Sequence, residues 1–351
     1  MSASLTPTPM GADVATSPPA GLSQNGKIQQ SHSERSVFAS ITELDHLREV
    51  VRGAAFDFVQ LGSGALRGVI ARADLGLSAV HVNQLSLPVR AQGDVSAKEL
   101  TFALLDERNE GVINGERLSA DKVLLYQPGG EFDGTATNAY RDWSITVDQA
   151  ELQRFVFDLS GRDLVLPQPS FACLRPSRDV TERLRAYVLS VLDIAANTPA
   201  ALEDERGRKA LHDELMVRLA ALVTDEQRSV PEPRWVGSRS AIVRRAEEFI
   251  LAHLADGISI ADICAVADVS ERSLRLAFHQ ITGVGPNTYL KVRRLHRVRA
   301  DLEGADPSVT SISMTALQWG FWHFGHFTHD YVHLFGERPS DTLRRPRPRT
   351  S

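Results

Sequence analysis

The apolar positions of this chain keep different rhythms in different stretches. From Ser36 to about Val165 they come in short, partly alternating runs: Phe56–Leu61, Ala65–Arg72, Leu77–Val82 and Leu100–Leu105. A period of two is that of a half-buried strand. Within Gly111–Leu118, Asn114-Gly115 sits between apolar residues as the favoured two-residue hairpin turn. Lys122–Tyr126 then runs into Pro128-Gly129-Gly130, where turn residues stop a strand. Strands this close, with no long helix between them, predict an antiparallel sandwich or barrel. A small barrel can hold one small ligand or be filled by its own side chains.

The rhythm changes after residue 178. Val180, Leu184, Tyr187 or Val188, Val191 and Ile194 recur at steps of three and four, as do Leu211, Leu215, Leu219 and Leu222. Two amphipathic helices are predicted, broken at Asn197–Ala200. They either cap the strand domain or meet a second subunit. Thr224 to Ser238, with Pro231 and Pro233, reads as a linker.

From Ser240 a third pattern appears, and it occurs twice. Ser259–Ser270 followed by Glu271–Ile281, and Val309–Gly320 followed by Phe321–Gly336, each read as helix, tight turn, helix. Ser259 with Asp262 forms a capping pair, and Asp268 stands where a left-handed backbone is expected. Ser270 caps the next helix, which buries Leu274, Phe278 and Ile281 and turns Arg272, Arg275, Leu276 and His279 outward. Two arginines on an exposed helix start suit bidentate contact with guanine in a major groove. In the second unit Phe327, Tyr331 and Phe335 form the buried stripe. His323, Phe324, Gly325, Thr328 and His329 are its DNA-side candidates, and Ser270 and Ser273 complete the set for the first. Between the units, Lys291, Arg293, Arg294, Arg297 and Arg299 lie on one helix and divide between phosphates and the fold. The basic end Arg344–Arg349 is a further candidate for phosphate contact.

The domain order expected from 351 residues is therefore a disordered tail (1–33), a strand domain (34–170), a helical hairpin (171–223), a linker (224–238), a helical DNA-binding domain (239–345) and a basic tail (346–351). The fold class is α+β. The net charge of −5 is uneven: residues 231–351 hold 16 Lys and Arg against 13 Asp and Glu, and the remainder 23 against 31. A basic back and an acidic front direct only the back to a polyanion. No apolar run approaches the ~18 residues of a spanning helix, and no signal peptide is apparent. Cys173 and Cys264, the only cysteines, stand far apart, so reduced thiols in a cytoplasm are expected, with no disulfide or zinc module.

Catalytic chemistry finds no constellation. The strand region holds only His46 and His81 as histidines, and neither a nucleophile elbow nor a phosphate-binding glycine loop occurs. Glu131 and Asp133 follow a turn and read as solvated residues or, less simply, as ligand contacts. Four histidines near the end (His323, His326, His329, His333) could place two on one helix face at steps of three and four, but no acid or thiol joins them in a ligand set, so no metal and no cofactor is expected.

Taken together, Ser270-x3-Leu274-x3-Phe278, Gly283-x2-Pro286-x2-Tyr289, Arg294-Leu-x3-Arg299 and Gly320-Phe321…Phe327-x7-Phe335-Gly336-x2-Pro339 resemble the C-terminal domain of the AraC/XylS family of bacterial transcription regulators, over about 100 residues. Departures are Asp268 for the usual glycine, Leu276 for a polar reader, and Trp322, His323 and Phe324 for small polar residues. The resemblance implies base readers at Arg272, Arg275 and Leu276, and around Phe324, Gly325 and His329. It implies two helices in successive major grooves, roughly one turn (~34 Å) apart. It further implies a cupin-like N-terminal barrel taking a small-molecule effector, promoter DNA and RNA polymerase as partners, a possible homodimer, and activation. The alternatives are a barrel that serves only as a dimerisation scaffold, and an enzyme fused to a DNA-binding domain.

Overall fold

The computed structural model describes residues 32–33, 35–44, 47, 55–164, 166, 171–225, 234–303 and 305–345. The expected basic tail and most of the expected disordered tail and linker lie outside them. His32–Ser33, at the inner end of the expected tail, forms a short strand (β1). The strands that follow are β2 (Ser36–Ile41), β3 (Ala55–Gln60), β4 (Gly68–Asp74), β5 (Ser78–Leu85), β6 (Val89–Asp94) and β7 (Glu99–Leu105). Then come β8 (Gly111–Ile113), β9 (Glu116–Arg117), β10 (Val123–Tyr126), β11 (Glu131–Ala136), β12 (Tyr140–Asp148) and β13 (Phe171–Leu174). They make two antiparallel sheets, one in the order β1-β2-β4-β5-β12-β7-β10-β13 and one in the order β3-β6-β11-β8-β9. The β8–β9 hairpin turns on Asn114 and Gly115, both at positive φ (48° and 80°), as the dipeptide predicts.

Helices α1 (Gln149–Ser160), α2 (Arg178–Asn197), α3 (Ala200–Glu203) and α4 (Glu205–Thr224) accompany the sheets. Their apolar stripes, including Leu152, Leu184, Val188, Leu215 and Leu219, share one core with the larger sheet's Val80, Val82, Trp143, Ile145 and Val147. The predicted helix pair therefore does cap the strand domain.

The C-terminal part is all helix: α5 (Arg234–Ala252), α6 (Ile260–Ala267), α7 (Glu271–Thr282), α8 (Pro286–Glu303), α9 (Ile312–Gln318), α10 (Phe324–Phe335) and α11 (Pro339–Arg344). Helix α5 begins inside the stretch expected as linker. Among the described residues, no helix is long and apolar enough to cross a membrane.

Strand alternation divides the molecule into layers. Across the larger sheet, residues next to the helix-facing ones (His81, Asn83, Asp142, Ser144, Thr146) point the other way and line a cavity of about 210 Å³. The opposite wall is the smaller sheet, through Phe56, Phe58, Ala91, Ile113 and Phe132. The far face of that same smaller sheet meets the C-terminal helices, where Val59, Leu61 and Val112 join the helical core.

Polar contacts reinforce this junction. Arg90 on β6 is 2% exposed and makes a two-pronged ion pair with Glu247 of α5, itself 1% exposed (Nε–Oε1 2.8 Å, Nη2–Oε2 2.6 Å). Asp133 and Thr135 of β11 also accept from Arg90. Burial alone would lower the Arg90 pKa, but the Glu247 carboxylate more than offsets it and the guanidinium is held charged. Asp133 is thus part of this junction, and both Asp133 and Glu131 lie in a strand. The solvated reading fails for Asp133, which accepts from the buried Arg90, and holds for Glu131, which is exposed at the start of β11.

Candidate nucleic-acid interface

The first helix pair is built as its sequence dictates. The Ser259 side chain caps α6, with the Asp262 backbone N–H donating to its Oγ and the Asp262 carboxylate accepting from the Ser259 backbone N–H (2.8 Å). The Ser259 hydroxyl also donates to that carboxylate (2.7 Å), and this bond, with the one from the Ser259 backbone N–H, holds the Asp262 carboxyl below the usual range. Asp268 ends the helix at φ 54°, the left-handed conformation expected of it, and aspartate tolerates it better than most residues. Ser270 caps α7 by accepting from the Ser273 N–H (3.2 Å), and Gly283 closes it at φ 74°.

The buried stripe of α7 is Leu274, Ala277, Phe278 and Ile281. That leaves Ser270, Arg272, Ser273, Arg275, Leu276 and His279 exposed, every candidate of the first unit. Arg275 pairs with Glu271 one turn earlier, a solvent-exposed pair of small net worth.

In the second unit, Ser311 caps α9 by accepting from Met314 N–H (3.3 Å), and Gly320 makes the turn at φ 83°. Helix α10 buries Leu334 and the rings of Phe327, Tyr331 and Phe335, which pack in series. His323, Phe324, Gly325, Thr328 and His329 are all exposed. Trp322, 72% exposed beside them, extends this apolar and imidazole surface and was not among the expected contacts. Its signal was an aromatic residue directly before a helix whose buried stripe starts at Phe327. Among the described residues, no group of three or more His, Cys, Asp or Glu is placed to hold a metal.

Four of the five cations of α8 serve the fold. Arg293 is buried and pairs with Asp57 of β3 (2.8 Å). Arg294 donates to the carbonyls of Leu254 and Asp256. Arg299 pairs with Glu303 and sits over the Phe335 ring, and Lys291 pairs with Asp330 (2.9 Å). Arg297 is exposed. The C-terminal end of α10 is fastened to the strand domain: the Gln60 side chain donates to the Leu334 carbonyl (2.6 Å), and Gly64 N–H to that of His333 (3.0 Å). Gly336 (φ 72°) must be glycine on two counts, since a Cβ there would lie 2.9 Å from Ala65 N.

Comparison with known proteins places these elements. A helix-turn-helix domain family matches residues 263–345. The probable thc operon regulatory protein of Rhodococcus erythropolis is 36% identical over 114 residues, 32% of this chain and 33% of that protein. The XylDLEGF operon transcriptional activator 3 of Pseudomonas putida is 40% identical over 101 residues, 29% of this chain and 30% of that protein. The chain thus matches about a third of the length of these curated relatives. A solved structure, a probable AraC family transcriptional regulator from Rhodopseudomonas palustris CGA009, is 39% identical, covering 30% of this chain and 98% of that one with a TM-score of 0.29.

Proposed function

We propose that this chain, whose C-terminal region is a helix-turn-helix domain of the AraC/XylS family, is a sequence-specific transcription activator controlled by a small molecule held between its two sheets. The observation that carries the DNA reading is that both second helices, α7 and α10, keep their candidate reading faces exposed while the strand domain is docked. Arg272 and Arg275 take guanine edges in one major groove, and Phe324, His329 and their neighbours read the next. RNA polymerase and a second copy of the chain are the partners this activity calls for. No catalytic step is needed for it.

The effector half of the proposal rests on the smaller sheet, one face of which lines the cavity while the other carries the helices. A ligand moves such an equilibrium only by its differential affinity for two arrangements. The cavity wall and the domain junction alternate along the same four strands, β3, β6, β8 and β11, so occupancy and docking bear on each other directly.

The test is fluorescence anisotropy of the full chain on DNA from upstream of its own and neighbouring genes, beside scrambled DNA, at several salt concentrations. Arg272→Ala or Arg275→Ala is expected to weaken specific binding by about 1–3 kcal/mol each, with the salt slope little changed. Equal losses on scrambled DNA would make these phosphate contacts, and parent-level binding would remove them from the interface.

A further inference from the structure

The cavity between the sheets is built with opposite chemistry on its two walls. The smaller sheet presents Phe56, Phe58 and Phe132, with Phe56 5.6 Å from Phe58 and 5.1 Å from Phe132 between ring centroids. Such a surface takes a flat apolar body by offset or edge contacts. At about 210 Å³ the space is somewhat larger than the ~150 Å³ that takes up benzene, and it limits the occupant to about one ring with small substituents.

The larger sheet presents hydrogen-bonding groups with unmet capacity. Arg72, His81 and Ser144 are register partners across β4, β5 and β12. The Arg72 Nε, His81 Nε2, Thr146 Oγ1 and Tyr126 Oη atoms are all buried with no hydrogen-bond partner. Tyr126 is 2% exposed, and an orphaned hydroxyl at that depth is costly unless something else completes it. Arg72 can only donate; its Nη2 is paired with Asp74 (3.4 Å), and its buried Nε is the donor still calling for an acceptor. Burial, with Arg72 adding to it, pushes the His81 ring down to about 3, leaving it neutral.

One two-residue step along β12, ~7 Å, the character reverses. Asp142, 3% exposed, faces the cavity with Asn83 and Ser144 donating to it and no cation beside it. Its burial raises its carboxyl to about 6, and its charge is felt at the hydroxyls of Tyr126 and Tyr140. That end calls for a donor or a cation. A ligand that is anionic throughout would be repelled here, and one that is cationic throughout would be repelled at Arg72.

We infer that the cavity binds a small two-ended aromatic molecule: one ring against the phenylalanine wall, an acceptor such as a carboxylate toward Arg72 and His81, and a donor such as an amine or hydroxyl toward Asp142. This assignment rests on the cavity being the effector site. It deepens that reading from "a small molecule" to a chemical class.

Calorimetry of the full chain with three probes tests it: 4-aminobenzoate (both ends), benzoate (acceptor only) and aniline (donor only). 4-Aminobenzoate is expected to bind at least ~10-fold tighter than either one-ended probe. Arg72→Gln should abolish its advantage over aniline, and Asp142→Asn its advantage over benzoate, with benzoate itself binding no more weakly than to the parent because a repelling carboxylate is gone. Tyr126→Phe removes one atom that has no partner in the protein, so it folds as the parent does. It should still lower 4-aminobenzoate affinity several-fold, which keeps the test decisive if a charge variant fails to fold. Equal affinity for all three probes, affinity indifferent to the variants, or no binding at millimolar concentration would each overturn the assignment. Operator titration of the same preparations separates the two readings. Specific DNA binding without probe binding removes the ligand class alone, whereas loss of specific DNA binding removes the regulator reading.

Discussion

Glu247→Ala is expected to lower the unfolding free energy of the full chain by about 3–5 kcal/mol, the usual result of stripping one partner from a buried ion pair. The Arg90 guanidinium would be left 2% exposed, with Asp133 and Thr135 as its remaining acceptors. Gln92, which donates to Glu247 at 3.2 Å, would lose its acceptor too. Chemical denaturation reads the effect as a lower midpoint at unchanged slope. The double replacement Arg90→Met with Glu247→Leu should recover most of the loss, because it removes both desolvation costs together. If the single variant stays within ~1 kcal/mol of the parent, the pair is solvated in solution and the two domains part there.

Acidification is the second large effect. Burial pushes His81 down to about 3 and His296 down to about 4, the latter between Arg293, Arg299 and Asp57, with its Nε2 on the Gln60 carbonyl at 3.1 Å. Between about pH 6 and pH 4 the unfolded chain therefore carries two protons that the fold refuses. The stability these neutral rings provide is full above their unfolded value of 6.5 and drains away as the pH falls. Asp142 works in the opposite sense, since its buried carboxyl at about 6 holds a proton that the unfolded side chain, at 3.8, has already lost. These three groups leave a balance of one proton, and His212, which burial also lowers, acts in the same sense as the other rings, so stability should fall by roughly 1 kcal/mol or more for each pH unit from 6 to 4. Asp142→Asn removes the opposing group, and the slope should then roughly double. Denaturation midpoints at pH 7, 6, 5 and 4.5 check both statements, and a midpoint independent of pH would contradict the burial of these groups.

The helices of the DNA-binding domain could be read from sequence because local rules decide them. The caps Ser259 and Ser270, the left-handed Asp268 and the stops Gly283 and Gly336 each sit within a few residues of what they satisfy. The candidate readers followed from the same stripe, since whatever does not face Leu274, Phe278 or Phe327 faces out. Arg90 and Glu247 could not be read this way. A charge in sequence looks like surface, and these two are buried only because they meet across 157 positions. Arg293 and Asp57, 236 positions apart, repeat the point. The cavity was hidden for a related reason. Asp142, Ser144 and Thr146 alternate with Trp143, Ile145 and Val147 in β12, and a polar face turned to an internal space has the same pattern as one turned to water. Strand β6, with Arg90, Gln92 and Asp94 on one side, offers almost no apolar signal at all.

A wall one strand thick also sorts inheritance. In β3, Phe56 and Phe58 look into the cavity while Asp57 and Val59 look toward the helices; in β6, Ala91 sits between Arg90 and Gln92; in β8, Ile113 follows Val112; in β11, Phe132 precedes Asp133. Single-nucleotide changes scattered along these strands should therefore fall into two phenotypic classes by parity of position. On the function proposed above, one class would retune which small molecule is bound, and the other would change how the strand domain holds the helices with none present. If the proposed function holds, a lineage with this architecture could change its chemical vocabulary and its basal tone independently, through neighbouring codons.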